Sequence, residues 1–358
     1  MESFRVELGP LSHPVHVGAG ILDSVGRLAH DAGLKAGRAA VVTDSNVGAI
    51  YAARALGSLK EAGFDAVLIE VAPGEASKSY AAVQLLYDRM TVAELDRHST
   101  VFALGGGVVG DLAGFAAATF LRGIAVVQIP TTVVGQVDAS LGGKTGINHR
   151  DAKNLIGAFH QPRMIVADVS TLRSMPDREF REGLAEVIKY GAIMDADMIG
   201  DLERGLDAIL ARAESRLEPI VARSLKHKAV VVSADEREGG LRKILNYGHT
   251  VGHALEASAG YGTYLHGEAV AIGMAAAGRL SSSYAGLDSG QRERIERLLG
   301  RAGLPVNLPA GWRGGGFTRA LKLDKKRAGG EVEFVLLDRL GHAIVHDLSF
   351  DDIVAGIG

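Results

Sequence analysis

Five short apolar runs, each closed by Gly, Pro, Asp or Thr, alternate with helix-patterned stretches through the first half of the chain. The runs cover residues 39–43, 66–71, 100–104, 125–129 and 164–168, and the stretches between them include 49–62, 79–95 and 111–120. A strand that is apolar throughout, not just at alternate positions, is buried on both faces. With helices between successive strands, the pattern predicts an open, mainly parallel α/β sheet. Ligands on such sheets sit beyond the carboxyl ends of the strands.

After about residue 172 the pattern becomes helical, over 179–190, 199–212, 217–233, 249–258, 268–285 and 291–302. Strand-like runs return at 331–337 and 343–348, joined by Asp338-Arg339-Leu340-Gly341. A chain of 358 residues suggests two domains as a prior. The expectation is an α/β domain over 1–172 and a mainly α-helical domain with a terminal hairpin over 173–358. No Ser/Pro-rich linker separates them, so a tight cleft is expected near 170–178.

Composition narrows the chemistry. Cysteine is absent, which excludes disulfides, thiolate metal sites and a cysteine nucleophile. The net charge of −3 gives no global basic field for nucleic acid or an acidic membrane. No apolar stretch approaches the ~18 residues that span a bilayer. Met1-Glu2-Ser3-Phe4-Arg5-Val6-Glu7 lacks the basic-then-apolar layout of a secretory signal, so a cytoplasmic location is expected. Glycine is the outlier, with 47 residues or about 13% against a usual ~7%. Many glycines cluster where a strand meets a helix, which points to backbone approaching a ligand.

Gly105-Gly106-Gly107-Val108-Val109-Gly110-Asp111 follows one such strand and opens a helix. Its G-x-G-x-x-G pattern lets backbone amides approach a pyrophosphate at a helix N-terminus. It comes late in the domain, and no acidic residue stands ~20 positions on to take a ribose. Asp44, after the run 39–43, is a candidate substitute. Pro73-Gly74-Glu75-Ala76-Ser77-Lys78-Ser79 occupies a similar strand-to-helix position. It reads either as a ribose and phosphate contact or as an ordinary capped helix start. Thr131-Thr132 adds two hydroxyls at a strand's carboxyl end. Between Asp138 and Asn154, two acids, two lysines, two asparagines and three glycines fall within 17 residues. Gly143-Lys144-Thr145 lacks the first glycine of a P-loop, which disfavours nucleotide hydrolysis.

The clearest signal lies in the helical half. Gly248-His249-Thr250-Val251-Gly252-His253 places two histidines four apart, on one face of a helix, and Leu265-His266-Gly267-Glu268 supplies a third. Without cysteine, a divalent metal needs imidazole and carboxylate, and three protein ligands with an open position mark a catalytic site. The motif lacks the Glu of H-E-x-x-H metalloproteases, which disfavours peptide hydrolysis. The carboxylate ligand could be Glu182, Glu186, Glu256 or Glu268. Glu186 has Gly183, Lys189 and Tyr190 at one-turn spacing, and a carboxylate on an apolar helix needs a partner.

At these residues the chain resembles the 3-dehydroquinate synthases of the sugar phosphate cyclase family. The matching segments are 73–79, 105–111, 130–132, 137–148, 153–162, 183–191, 235–256, 266–274 and 324–326, in family order through nearly the whole chain. The resemblance implies an NAD-binding α/β domain, a helical metal- and substrate-binding domain, an active site between them and a homodimer. It implies the conversion of 3-deoxy-D-arabino-heptulosonate 7-phosphate to 3-dehydroquinate and phosphate in the shikimate pathway. In that chemistry NAD transiently oxidises an alcohol, phosphate is eliminated, the hydride returns, and an intramolecular aldol closes the ring. One zinc or cobalt ion acts as Lewis acid on vicinal hydroxyls.

By motif position, the resemblance implies Glu186, His249 and His266 as metal ligands. It implies Asp138, Lys144, Lys189, Asn246 and His253 as catalytic residues. Arg122, Asn154, Lys228, Arg242 and one of Lys325 or Lys326 join Lys144, Lys189, Asn246 and His253 in holding substrate, with Arg122 reaching a neighbouring subunit. For NAD it implies Asp44, Pro73, Gly74, Glu75, Ala76, Ser77, Lys78, Gly107, Val108, Val109, Gly110, Asp111, Thr131, Thr132, Lys144, Lys153, Thr171, Leu172, Arg173 and Ser174. The alternatives are another sugar phosphate cyclase or a metal-dependent NAD polyol dehydrogenase. Gly240-Leu241-Arg242 and Leu245-Asn246-Tyr247-Gly248-His249 resemble the synthases, and a dehydrogenase needs no such set of anion-binding lysines and arginine.

Overall fold

The computed structural model describes residues 1–150, 152–260, 263–312, 314–324 and 331–357. The chain divides into two units: Met1–Met175 with Leu217–Glu236, and Pro176–Arg216 with Arg237–Gly358.

The first unit is built on β1 (Glu2–Val6), β2 (His13–Gly18), α1 (Val25–Asp31), β3 (Arg38–Asp44), α2 (Ser45–Glu61), β4 (Asp65–Val71), α3 (Tyr80–Val92), β5 (Thr100–Gly105), α4 (Gly107–Thr119), β6 (Ala125–Pro130), β7 (Lys144–His149), β8 (Ala152–Phe159) and β9 (Met164–Asp168). Seven strands form one sheet in the order β1-β2-β9-β6-β5-β3-β4. All its pairings are parallel except β1 with β2. The side-chain period of two sorts the apolar strands into two cores. Val41, Phe102, Val127 and Val166 pack under α1 and α2 with Leu28, Tyr51 and Leu59. Val42, Val101, Ala103 and Val126 pack under α3 and α4 with Leu86, Met90, Leu112 and Ala116. That two-sided burial is why these strands read as continuous apolar runs.

The polar stretch after residue 143 is not a loop. β7 and β8 form an antiparallel hairpin with Gly146 opposite Gly157. A Cβ on Gly157 would stand 2.1 Å from the Thr145 carbonyl oxygen, so the two backbones can meet only without side chains there. Leu155 and Phe159 on β8 are exposed, so this strand, unlike those of the main sheet's centre, is not buried on both faces.

The second unit contains α5 (Asp177–Met194), α6 (Ala196–Leu210), α8 (His249–Ala259), α9 (His266–Tyr284), α10 (Ser289–Arg301), α11 (Gly315–Asp324), β10 (Glu331–Arg339), β11 (His342–Ser349) and α12 (Phe350–Gly356), with α7 (Glu214–Ala234) between α6 and α8 in sequence. β10 and β11 pair antiparallel as the expected hairpin. The backbone N–H of Leu337 donates to Ser281 Oγ at 2.9 Å, tying the hairpin to α9.

The domain division differs from the sequence expectation. It falls after Met175 instead of residue 172, and Leu217–Glu236, expected in the second domain, belongs to the first unit. Polar contacts account for this. Lys228 donates to the Asp138 carbonyl at 2.6 Å, and the Glu7 N–H donates to Ser233 Oγ at 3.2 Å. Helical periodicity shows that α7 has a buried face but not which core receives it.

Candidate active site and metal centre

In the first unit, the segments that follow strands gather polar groups. Gly106 is the N-cap of α4 and contributes no side chain, so the first amides of Gly107, Val108 and Val109 meet no capping side chain. A Cβ on Gly106 would lie 2.9 Å from Thr132 Cγ2, which fixes glycine at this close approach. Asp44 ends β3 and caps α2, accepting from the N–H groups of Asn46 and Val47 at 2.9 and 3.1 Å, both on Oδ1. Beyond β4, Pro73 leads into Gly74, whose φ is +92°, and then one turn of 3-10 helix over Glu75–Ser77. Ser77 and Lys78 are buried, while Pro73, Gly74, Glu75 and Ala76 are exposed.

Lys78 joins three of these segments. Its ammonium donates to Asp111 Oδ2 at 2.6 Å and to Asn154 Oδ1, and its carbonyl accepts from the Asn148 N–H at 2.9 Å. Asn148 in turn donates to Glu75 Oε1 at 2.7 Å and accepts from the Asn154 N–H at 2.8 Å. Burial pushes the Asp111 carboxyl up, and the Lys78 charge opposes that shift. Asn148, one of the two asparagines between Asp138 and Asn154, is a contact that sequence reasoning misses, because its place at the end of β7 is set by the hairpin with β8.

Asp138 sits in a single π-helical turn, Gly135–Ala139, a form that often marks functional positions. Gln136 anchors the turn by donating to the carbonyls of Pro130 and Asp168 at 3.0 and 2.8 Å. Lys228 pairs with Asp138 Oδ1 at 2.9 Å, and its side chain is 6% exposed. Thr131 is buried, and Thr132 accepts from the Gly135 N–H at 3.1 Å. Lys144 opens β7 and is exposed; Lys153 is half-buried on β8. Thr171, Leu172, Arg173 and Ser174 form the 3-10 turn after β9, with Tyr51 donating to Ser174 Oγ at 2.9 Å. Arg122 is exposed just past α4, in left-handed backbone with φ +69°.

In the second unit, Glu186, His249 and His266 converge. One ligand atom from each lies within 4.8 Å of the others. Nε2 of His249 and Nε2 of His266 each stand 3.5 Å from Glu186 Oε1. Lys189, one turn on along α5, pairs with Glu186 Oε2 at 2.5 Å, and both side chains are 1% exposed. His253, one turn after His249, is exposed, and its ring centroid is 5.4 Å from that of His249.

Glycines build this convergence. Gly248 has φ +81° and lies against α9, where a Cβ would meet the Val270 carbonyl at 2.8 Å. A Cβ on Gly273 would lie 1.9 Å from the Gly248 carbonyl. α8 and α9 therefore touch backbone to backbone. This explains the glycines flanking the histidines, which no amphipathic stripe accounts for.

Each of the four candidate carboxylates has a distinct place. Glu186 faces both histidines. Glu268 pairs with Arg178 at 2.7 Å and accepts from the Leu265 N–H, closing the first turn of α9. Glu182 accepts from the Gly267 N–H at 2.6 Å. Glu256 Oε2 lies 3.4 Å from His266 Nδ1. Burial pushes Glu182 up to about 7. Burial, reinforced by the Lys189 charge, lowers His249 to about 3, which leaves it a neutral imidazole. Burial also disfavours the charged form of His266, but Glu186 and Glu256 together outweigh it and raise that ring to about 10. One buried carboxylate and two imidazoles, with no thiolate, suit a divalent ion such as zinc or cobalt and leave further coordination positions open.

Arg242 is 2% exposed in a 3-10 turn, Leu241–Asn246, with Nε 3.7 Å from Glu238 Oε1. Asn246 ends that turn, three residues before the start of α8. Lys325 and Lys326 lie outside the described residues.

Two family models match the chain: 3-dehydroquinate synthase N-terminal over residues 68–182, and 3-dehydroquinate synthase C-terminal over 183–327. A 3-dehydroquinate synthase of Desulforamulus reducens is 47% identical over 356 residues, covering 99% of each chain. Among solved structures, 2-epi-5-epi-valiolone synthase ValA from Streptomyces hygroscopicus subsp. jinggangensis 5008, with NAD+ and Zn2+ bound, superposes with a TM-score of 0.86. It is 27% identical over 98% of this chain and 97% of that one. A 2-deoxy-scyllo-inosose synthase complexed with carbaglucose-6-phosphate, NAD+ and Co2+ has the same fold, with a TM-score of 0.89 and 24% identity over 99% of both chains.

Proposed function

Because the chain belongs to the 3-dehydroquinate synthase family, we propose the division of labour among its residues that follows. The reaction converts 3-deoxy-D-arabino-heptulosonate 7-phosphate to 3-dehydroquinate and phosphate, by way of transient oxidation, phosphate elimination, reduction and an intramolecular aldol. When bound, NAD supplies a hydride acceptor and donor, and a zinc or cobalt ion supplies Lewis acidity toward neighbouring hydroxyls.

The observation that carries the metal assignment is the convergence of Glu186, His249 and His266 on one buried spot. Lys189 offsets the carboxylate's charge and holds it in place, so the ligand is oriented before any ion arrives.

The uncapped amides at the start of α4, from Gly107 to Val109, suit a pyrophosphate, with Gly110 and Asp111 on the turn behind them. Asp44 uses Oδ1 to cap α2, leaving Oδ2 for a ribose hydroxyl. Glu75 and Lys78, fixed through Asn148, flank the same region, with Thr131, Thr132, Lys153 and the 171–174 turn completing the contacts. Asp138 and Lys228 form a charge pair that can hold substrate hydroxyl and carboxylate groups; Arg242 offers a planar fork for the carboxylate. Lys144, Asn154, Asn246 and His253 are assigned to the phosphate, with His253 exposed and outside the Glu186, His249 and His266 group. As phosphate departs, a cationic or N–H donor at each of these places stabilises the charge that develops.

The enzyme is assigned to the cytoplasm as a homodimer. Among the described residues no helix is long and apolar enough to cross a membrane. Exposed Leu121 and Arg122, both in left-handed backbone, project a side-chain pair suited to a neighbouring subunit. Phosphate release from the heptulosonate phosphate with catalytic NAD tests the assignment. Failure to release phosphate in the presence of zinc and NAD would overturn it.

A further inference from the structure

α8 carries a carboxylate that the reaction as assigned does not use. Glu256 follows His249 by seven residues, two helical turns, and so shares its face. Its Oε2 is 3.4 Å from Nδ1 of His266, whereas Nε2 of the same ring is 3.5 Å from Glu186. His249 is held the same way, with Nε2 3.5 Å from Glu186 and Nδ1 3.2 Å from the Tyr247 carbonyl. Both imidazoles thus present Nε2 to one point and Nδ1 to a fixed oxygen. For His249 that oxygen is a backbone carbonyl, and for His266 it is a side chain that mutation can remove.

His253, Glu256 and His266 also gather closely enough to surround an ion. Filling that position together with the first would place a cation on each nitrogen of His266, which requires the imidazolate anion. An N–H on Nδ1 donated to Glu256 requires only the neutral ring. A histidine bound to metal through one nitrogen ordinarily donates the other N–H to a carboxylate or carbonyl, which fixes its tautomer and raises its basicity.

We infer that Glu256 is a positioning residue for the metal site: it accepts the Nδ1–H of His266 and so selects the tautomer that offers Nε2 to the ion. The inference rests on the assignment of Glu186, His249 and His266 as ligands.

The test measures zinc dissociation constants by competition with a chelator, and visible spectra of the cobalt form, for Glu256→Ala, Glu256→Gln and Glu186→Ala. Glu256→Ala should weaken zinc binding ~10–100-fold, with an altered cobalt spectrum and an unchanged melting temperature of the metal-free protein. Glu256→Gln keeps a neutral acceptor and should weaken it at least ~3-fold, which decides the matter if the alanine variant does not fold. Zinc affinity within twofold of the parent in whichever of these variants folds would overturn the inference. Glu186→Ala separates the two levels. If it loses zinc while the Glu256 variants keep parental affinity, only this inference falls; if it binds zinc as the parent does, the ligand assignment falls as well.

Discussion

The backbone N–H of Gly267 donates to Glu182 Oε2 at 2.6 Å, on the helix turn that carries His266. The contact is one of three at successive turns of α5. Arg178 meets Glu268, Glu182 meets Gly267, and Glu186 meets His266. Positions four apart on one helix thus read consecutive positions at the start of another, which pins both the height and the rotation of His266, the histidine proposed as a metal ligand.

Gly267→Ala should therefore be severe. A Cβ there would lie 1.9 Å from the Glu182 carbonyl oxygen, so α5 and α9 must separate. Overpacking of this kind costs ~1–3 kcal/mol or more. Denaturant unfolding should show the loss, and zinc affinity should fall with it, because His266 moves with the turn. A variant with parental stability and affinity would show that the helices separate freely.

Glu182 gives a gentler perturbation. Burial raises its carboxyl to about 7, so the neutral form is well tolerated near neutral pH. Glu182→Gln, which keeps an acceptor for Gly267, should stay within ~1 kcal/mol of the parent. Glu182→Ala leaves a helix-terminal N–H without this acceptor and should lose ~1–3 kcal/mol. Equal losses in the two variants would contradict the acceptor role.

Chelation should abolish turnover, and zinc or cobalt should restore it. Glu186→Ala and His249→Ala should be inactive and should retain no stoichiometric metal after dialysis. Metal analysis together with phosphate release checks both points.

Arg242→Ala should lose at least ~30-fold in kcat/KM for the heptulosonate phosphate, since a charge-assisted pair with a desolvated carboxylate contributes ~1.5–3 kcal/mol. Zinc and NAD affinities should be nearly unchanged. Sedoheptulose 7-phosphate, which lacks the carboxylate, should be a poor substrate of the parent protein. Silence of the variant would move carboxylate recognition to other residues.

Product formed should greatly exceed NAD supplied, with little NADH absorbance at the end, because the hydride returns within each turnover. Stoichiometric NADH would instead indicate dehydrogenase chemistry.

Period and composition along the chain determined much of the architecture. Continuous apolar runs marked β3, β5, β6 and β9, because strands buried on both faces admit no polar alternation, and β4, the edge strand with Leu68 and Glu70 exposed, was marked by its β-rich composition. The terminal hairpin was legible for a related reason: β10 is mostly buried and a Gly-containing turn follows it. β7 and β8 were not legible, since their polar and glycine-bearing positions show neither a continuous apolar run nor a strict alternation. The three histidines and a short list of carboxylates were also visible in sequence, as residue types with the right chemistry. The resemblance singled out Glu186 by motif position, but what surrounds each carboxylate was decided only in three dimensions. Glu182, Glu186, Glu256 and Glu268 are alike as letters; their roles follow from which helix faces meet, and that depends on backbone contacts at Gly248, Gly267 and Gly273 between segments distant in sequence. The same holds for α7, whose amphipathic pattern fixes that one face is buried but leaves the choice of core to contacts such as Lys228 with Asp138.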